Sequence, residues 1–237
     1  MNGRITCTDG NSVLSVVTDR SQGGSSMVDG SVELMIQRRL QTDDRRGVGE
    51  PLNEPGLDAT GSGLIVRGLH RVSLTPTATA AAVGKAALQD VTFRPQLTFS
   101  SLSSTTPTQW LSAHTGTFSG LAAPLPANVH LLTLQALSST TVLVRLAHLF
   151  EVDEDAALSK PVNVDLSTIL GPSVAPLSAC EERTTPGAKP LASVRIMTVD
   201  IEGEGASTWP TLPAPPAGAA QTVTLNPMDI RTFACTA

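Results

Sequence analysis

The chain contains one segment that reads Thr18-Asp-Arg-Ser-Gln-Gly-Gly-Ser-Ser26, then Val32-Glu-Leu-Met-Ile-Gln-Arg-Arg-Leu40, then Asp43-Asp-Arg-Arg-Gly-Val-Gly-Glu-Pro-Leu52. Polar residues are dense around two glycine clusters, and the middle run alternates, with Val32, Leu34 and Ile36 on one face of an extended chain. Because glycine allows the positive φ angles of tight turns, this composition predicts a strand between two hydrogen-bonded turns. A segment that only filled a core would not need so many polar side chains.

Apolar residues recur at every second position along most of the chain. Val142, Val144 and Leu146, for example, lie on one face of a predicted strand, and Arg145 lies on the other. Besides 32–40 and 142–148, strands are predicted over residues 12–18, 64–74, 96–99, 129–136, 162–165, 193–199, 221–225 and 230–234. Residues 78–88 are compatible with a helix, and residues 178–190 and 209–220 have the composition of loops. Repeated short strands without alternating helices predict an all-β fold, an antiparallel β-sandwich.

An acidic patch at residues 151–155, followed by Lys160 and Pro161, is the best candidate for a domain boundary. We therefore expect a β-sandwich segment over residues 1–155 and a smaller β-domain over residues 156–237.

Composition and the distribution of apolar residues argue against several classes of protein. The formal net charge is −5, and basic residues do not cluster beyond short pairs, which argues against a nucleic-acid partner. No apolar run approaches the roughly 18 residues of a membrane span, and the first residues lack the apolar stretch of a signal peptide. The chain has two Trp and no Tyr, which argues mildly against a carbohydrate-binding module that works alone.

The cysteines are Cys7, Cys180 and Cys235, widely spaced and without a Cys-x-x-Cys pair, so no zinc site is predicted in this chain. They are either free thiols or one disulfide with one thiol left over. The histidines are scattered, and each is expected to be a packed or surface residue rather than a metal ligand.

The three runs of residues 18–52 resemble the C-terminal β-rich part of class II α-mannosidases, and most closely the lysosomal (acid) type. That family carries very similar "TDR.QGGSS", "ELM..RRL", "DD.RG" and "EPL" runs. Further similar segments follow in the same order: Gly63-Leu-Ile-Val-Arg-Gly68, Phe118-Ser-Gly-Leu121, Pro126-Ala-Asn-Val-His-Leu-Leu-Thr-Leu134, Val142-Leu-Val-Arg-Leu-Ala-His148 and Leu225-Asn-Pro-Met-Asp-Ile-Arg-Thr-Phe233.

The resemblance implies a galactose-mutarotase-like β-sandwich of the mannosidase C-terminal type. Enzymes of this family are retaining, zinc-dependent glycosidases that hydrolyse terminal α-mannosyl residues of N-glycans. Their nucleophile and zinc ligands belong to an N-terminal α/β domain, so we expect no catalytic residue and no metal ligand in this chain. The implied partners are that catalytic domain and mannose-containing glycans, and the implied location is a lysosomal or other acidic secretory compartment.

By the same resemblance, Arg46 falls on the arginine of "DD.RG", which lies in a loop that reaches toward the active site and would bind substrate. Asp43, Asp44, Gly47 and Glu50 would support that loop. Two adjacent aspartates on an extended chain point to opposite faces, so Asp43 and Asp44 are poorly placed to act as a glycosidase acid/base pair. They fit better as a turn that orients Arg46. A purely structural Arg46 is the alternative.

Arg45 occupies a position where the family often has Gly. In the first run, Asp19 and Arg20 are expected to hold a rigid loop, with contact to a neighbouring domain as the alternative. The whole chain could instead be a stand-alone carbohydrate- or protein-binding β-sandwich scaffold without enzymatic activity. An in-frame coding sequence for the α/β domain upstream of Met1 would favour the enzyme.

Overall fold

The structure is a computed structural model that describes residues 2–47, 49–56, 61–102, 104–171, 174, 176–194 and 221–237. All strand pairs among these residues are antiparallel, and helices are few. The predicted all-β fold class is confirmed. The chain divides into two compact units, Met1–Leu97 and Thr98–Ala237.

The first unit contains a three-stranded sheet, a two-stranded sheet and one helix. Its elements are β1 (Arg4–Thr8), β2 (Ser12–Thr18), β3 (Gly23–Ser25), β4 (Glu33–Met35), β5 (His70–Pro76) and α1 (Thr77–Thr92). The larger sheet has the order β1-β2-β5, and β3 pairs with β4.

The β1–β2 hairpin turns at residues 9–11. One carboxylate oxygen of Asp9 accepts the main-chain N–H groups of Asn11 and Ser12, at 2.9 and 2.7 Å. Gly10 between them has a φ of 90°, which a side chain would disfavour. The Asp-Gly-Asn sequence therefore closes the hairpin with its own side chain and glycine.

Helix α1 packs on one face of the β1-β2-β5 sheet. Val17 of β2 is 1% exposed and forms a small core with Ala87, Leu88 and Val91 of the helix. The alanine-rich sequence of α1 favours a helix, and its small side chains let it lie close to the sheet. The helix-compatible stretch predicted at 78–88 is thus confirmed.

The second unit holds the larger core. Its elements are α2 (Pro107–Ala113), β6 (Val129–Ala136), β7 (Thr141–His148), β8 (Val162–Asp165), β9 (Ser178–Arg183), β10 (Thr222–Leu225) and β11 (Ile230–Thr236), with two short 3₁₀ turns at Leu166–Thr168 and Leu191–Ser193. The main sheet has the order β6-β7-β11-β9, and β10 pairs with β8. Val144, Leu146, Leu225 and Phe233 are among the buried apolar residues that join these sheets in one core.

Cys180 of β9 and Cys235 of β11 form a disulfide, and Cys7 is a free thiol. Of the two alternatives that the sequence left open, the structure has one disulfide with one thiol left over.

Most predicted strands are confirmed, several at their predicted bounds. The strands at 12–18, 129–136 and 162–165 are reproduced, and those at 142–148, 221–225 and 230–234 differ by two residues or fewer at an end. The strands predicted at 32–40 and 64–74 are shorter, because β4 pairs only with the three-residue β3 and β5 begins at the partner of Thr18.

Two predictions were wrong. Residues 96–99 form no strand, and residues 178–190, predicted as a loop, contain β9. The β9 sequence has few apolar residues, so its pattern gave no signal. Residues 195–199 of the strand predicted at 193–199, and the loop predicted at 209–220, lie outside the described residues.

The division at residues 155 and 156 stays a prediction. The main sheet of the second unit joins β6 and β7, from the predicted first domain, with β9 and β11, from the predicted second.

Candidate functional site

The predicted site loop lies between β4 and β5, and two aspartates shape its backbone. Asp43 accepts the main-chain N–H of Arg45 through Oδ2, and Asp44 accepts the main-chain N–H of Arg46 through Oδ1, both at 2.9 Å. These are two consecutive Asx turns, the local bonds that Asp forms readily to an amide two residues ahead. Each carboxylate thus holds the main chain of the arginine two positions later.

Arg45 has a φ of 60°, in the left-handed region that residues with a side chain rarely adopt. The same position often carries Gly in the family that this segment resembles, and the φ angle gives the physical reason. The two aspartate turns hold the chain in this conformation although no glycine is present. Arg46 follows directly and is exposed, as are Gly47 and Glu50.

We call residues 18–52 the motif segment. Its first run, residues 18–26, is hydrogen-bonded to the residues that lead into β5. Asp19 Oδ2 accepts the main-chain N–H of Leu69 at 2.9 Å, Arg20 Nη1 donates to the carbonyl of Arg67 at 2.9 Å, and Gln22 Oε1 lies 2.8 Å from His70 Nε2. The Arg20 guanidinium also lies against Gly68, where a β-carbon would overlap it. Asp19 and Arg20 therefore make the bonds expected of residues that hold this loop, and contact with a neighbouring domain stays a prediction.

The motif segment surrounds a cleft of about 1210 Å³. It is lined by residues 20–23, 33–39, 52, 54, 62–64 and 66. Within the described residues, this lining includes none of Asp43, Asp44, Arg46, Gly47 and Glu50. The structure therefore places the predicted site residues on an exposed loop beside the segments that form the cleft.

Arg39 is a cleft residue whose role the sequence reasoning missed. Its Nε donates to Asn53 Oδ1 at 2.7 Å, and its Nη1 donates to the carbonyl of Gly61 at 3.0 Å. Arg39 thus joins the "ELM..RRL" run to the residues that follow "EPL". Its place in the "ELM..RRL" run is the feature of the sequence that could have pointed to this role. Since Arg20 and Arg39 are both bonded to main-chain carbonyls, their first role in the cleft is to hold its walls.

The cleft also carries Arg38 and the carboxylates of Glu33 and Glu54. Guanidinium donors and carboxylate acceptors are groups that hydrogen-bond to the hydroxyls of a sugar. In the parts of the chain that the structure describes, no group of three His, Cys, Asp or Glu residues could hold a metal ion. Among the described residues, none of the helices has the length and hydrophobicity of a membrane-spanning segment.

His148 of β7 is a packed residue, as expected for the histidines. It is 3% exposed, its Nε2 lies 3.0 Å from the carbonyl of Lys160, and its Nδ1 lies 3.2 Å from the main-chain N–H of Phe150. The Asn128 side-chain amide donates to the carbonyl of Leu158 beside it, at 3.1 Å. The histidine therefore connects the end of β7 to the turn before β8.

Comparison with known proteins gives one consistent result. Residues 1–46 match the sequence profile described as the glycosyl hydrolases family 38 C-terminal domain. The chain is 42% identical over 236 residues to the lysosomal alpha-mannosidase of Bos taurus, which covers 98% of this chain and 22% of that protein. The Homo sapiens lysosomal alpha-mannosidase is 42% identical over 238 residues, with the same two shares.

A more distant relative, an alpha-mannosidase of Canavalia ensiformis, is 33% identical over 231 residues, covering 95% of this chain and 23% of that protein. The chain thus spans between a fifth and a quarter of the length of these three relatives.

Proposed function

We propose, on the premise that this chain belongs to the C-terminal part of the family 38 glycosyl hydrolases, that it is the non-catalytic β-rich portion of an α-mannosidase. The family resemblance inferred from residues 18–52 is confirmed. The observation that carries the proposal is similarity along 98% of the chain to lysosomal α-mannosidases. The whole enzyme would hydrolyse terminal α-mannosyl residues of N-glycans, with its zinc and its catalytic residues in the part that precedes this chain.

Within that enzyme, Arg46 is our candidate for contact with the substrate. Its main chain is held by Asp44, and the residue before it occupies a left-handed conformation. A backbone kept in a sparsely populated region is a feature that often accompanies a functional position. Because the guanidinium is planar and always charged, it can donate two parallel hydrogen bonds to sugar hydroxyls or hold a nearby carboxylate. Asp43, Asp44, Gly47 and Glu50 would shape the loop that presents it.

Arg46 is tested in a chimeric α-mannosidase, in which this chain replaces the aligned region of the Bos taurus enzyme. Arg46→Ala should lower kcat/KM for an aryl α-mannoside by roughly 30- to 150-fold, because a charge-assisted hydrogen bond in a desolvated site contributes about 2–3 kcal/mol. The melting temperature should barely change. Arg46→Lys should recover little activity, since a point charge does not replace the planar fork.

Arg45→Ala is the matched control, one residue away and with both aspartate turns retained. It should keep the activity of the chimeric enzyme. Early melting of Arg46→Ala together with normal turnover by the folded fraction would show that the arginine is structural.

The isolated chain should hydrolyse no α-mannoside and bind no catalytic zinc, because we place the nucleophile and the zinc ligands outside it. Turnover of an aryl α-mannoside is measured with the purified chain, with and without a chelator. Activity that the chelator removes would contradict the placement of the nucleophile and the zinc ligands outside this chain.

The disulfide between Cys180 and Cys235 supports an oxidising compartment, since such bonds persist in secretory and extracellular proteins and are rare in the cytosol. We therefore propose a lysosomal or other acidic secretory location for the parent enzyme.

A further inference from the structure

The two faces of the β1-β2-β5 sheet differ sharply in composition. Residues that pair directly across antiparallel strands share a face. The strand register places Ile5 beside Val16 and Val16 beside Val72, and it places Cys7 beside Leu14 and Leu14 beside Leu74. One face of the sheet therefore carries two apolar rows, and we call it the open face: Ile5, Cys7, Leu14, Val16, Val72 and Leu74.

Helix α1 covers the opposite face, which is the more polar of the two. Val17 lies there against the helix, and Arg71, its partner on β5, donates to Asp90 of α1 at 2.9 Å. The same face carries Arg4 and Thr6 on β1. The helix thus protects the side of the sheet that has less apolar surface to bury.

The open face remains exposed at β5. Val72 is 63% exposed and Leu74 is 73% exposed, whereas Val16 in the central strand is enclosed by its neighbours. The cluster of buried apolar residues in this unit, formed by Val17, Ala87 and Val91, lies at the helix-covered face. Apolar rows on a sheet are normally buried by a second layer of secondary structure, and an exposed one indicates an interaction surface.

We propose that the open face packs against a β-layer supplied by the preceding part of the α-mannosidase polypeptide. This inference rests on the proposed function. The family 38 profile matches residues 1–46, which include β1 and β2, so two of the three strands of this sheet lie within the matched segment, and β5 pairs with the second of them. The aligned region is only 22% of the Bos taurus relative, which leaves most of that polypeptide to supply the second layer. Facing sheets of a sandwich interdigitate apolar side chains across about 10 Å, which the two apolar rows can satisfy.

Cys7 is a thiol on the open face and serves as the probe. Alkylation of Cys7 by a maleimide is followed by mass spectrometry of the tryptic peptide 5–20, in the isolated chain and in the chimeric α-mannosidase. We expect alkylation in the chimera to be slower by on the order of tenfold or more, as for a group that reacts only after local opening. Thr6→Cys in a Cys7→Ser background is the matched control. It moves the thiol one residue along β1 to the other face, where Thr6 is exposed, and it should react at similar rates in both proteins.

The double variant Val72→Asp/Leu74→Asp should raise the alkylation rate of Cys7 in the chimera toward that in the isolated chain. Val152→Asp, at a side chain 70% exposed in a turn of the other unit, should leave it unchanged. Equal Cys7 rates in chimera and isolated chain, or equal protection of Cys7 and of the Thr6→Cys thiol, would overturn the proposal. Protection in the isolated chain that rises with concentration, with a dimer mass by light scattering, would overturn it in favour of a second copy as the occupant.

Mannosidase activity of the chimera is measured in parallel. An active chimera with a reactive Cys7 refutes the open-face proposal alone, whereas a protected Cys7 in an inactive chimera refutes the proposed enzymatic role alone.

Discussion

Arg45 combines a long side chain with a left-handed backbone, and this conflict leads to a stability prediction. Arg45→Gly should raise the free energy of unfolding by about 1 kcal/mol, because glycine adopts a φ of 60° without the clash between Cβ and the following carbonyl. Urea denaturation of the purified chain measures the change. Arg46→Gly is the control, since Arg46 has no positive φ, and it should be neutral or destabilising. A loss of stability in Arg45→Gly would mean that the arginine side chain stabilises the loop by more than its backbone strain.

At the same scale, the sequence alone identified the loop residues but not their bonds. The acidic pair was expected to orient Arg46, and the structure shows that the carboxylates bind the main-chain amides of Arg45 and Arg46. Bonds from an arginine side chain and bonds from main-chain amides would both satisfy the two carboxylates, so composition does not distinguish these two arrangements. The choice depends on the φ angles of the turn, which only the folded backbone defines.

At the scale of elements, β9 and β11 are joined by an ion pair that is largely protected from solvent. Arg231 donates to both carboxylate oxygens of Glu182, at 2.7 Å from Nε and 2.5 Å from Nη2, and this bond raises the pKa of the Arg231 guanidinium. Arg231 also donates to the carbonyl of Thr224 in β10 and lies 5.4 Å from the ring centre of Phe233. One side chain thus connects three strands.

Arg231→Ala should lower the free energy of unfolding by about 2–3 kcal/mol, because it leaves Glu182, only 9% exposed, without its charged partner. Arg231→Lys should recover part of this, since a lysine cannot bind both oxygens in one plane. Arg71→Ala, which removes the exposed pair with Asp90, is the control and should change stability by less than about 1 kcal/mol. Similar losses for Arg231→Ala and Arg71→Ala in urea denaturation would refute the distinction.

The ion pair between Arg231 and Glu182 also helps to explain why β9 was not predicted from the sequence. β6 and β8 show clear alternation and were predicted at their observed bounds, because their pattern is local. β9 contains two glutamates and a cysteine, and its stabilising partners, Arg231 and Cys235, lie about 50 residues further along the chain. A strand held by distant polar and covalent partners has no periodic apolar signal. The cysteine pairing stayed open for the same reason.

At the scale of the molecule, the disulfide closes a long loop within the second unit. Cys180 and Cys235 are 55 residues apart, and closing a loop of that length in the unfolded chain stabilises the folded state by about 4 kcal/mol in the chain-entropy description. Cys180→Ala/Cys235→Ala should therefore lower the melting temperature markedly, and reduction of the native chain should do the same. Cys7→Ser, which removes the free thiol, is the control and should leave the melting temperature unchanged. Equal melting of oxidised and reduced chains would show that the unfolded chain is already constrained in this region.

The position of β11 has a consequence for how the protein is made. Among the described strands, β11 comes after all the other strands of the main sheet in chain order, yet it lies between β7 and β9 inside that sheet. During translation the β6–β7 hairpin leaves the ribosome about 80 residues before β11, on the order of 4–16 s earlier at 5–20 residues/s. For that interval the inner edge of β7 has no partner, and unpaired edges are where nascent chains aggregate. Chaperones that act on newly made chains should therefore bind this region until residues 230–236 have been synthesised. A premature stop codon shortly before residue 230 would leave the sheet without its inner strand.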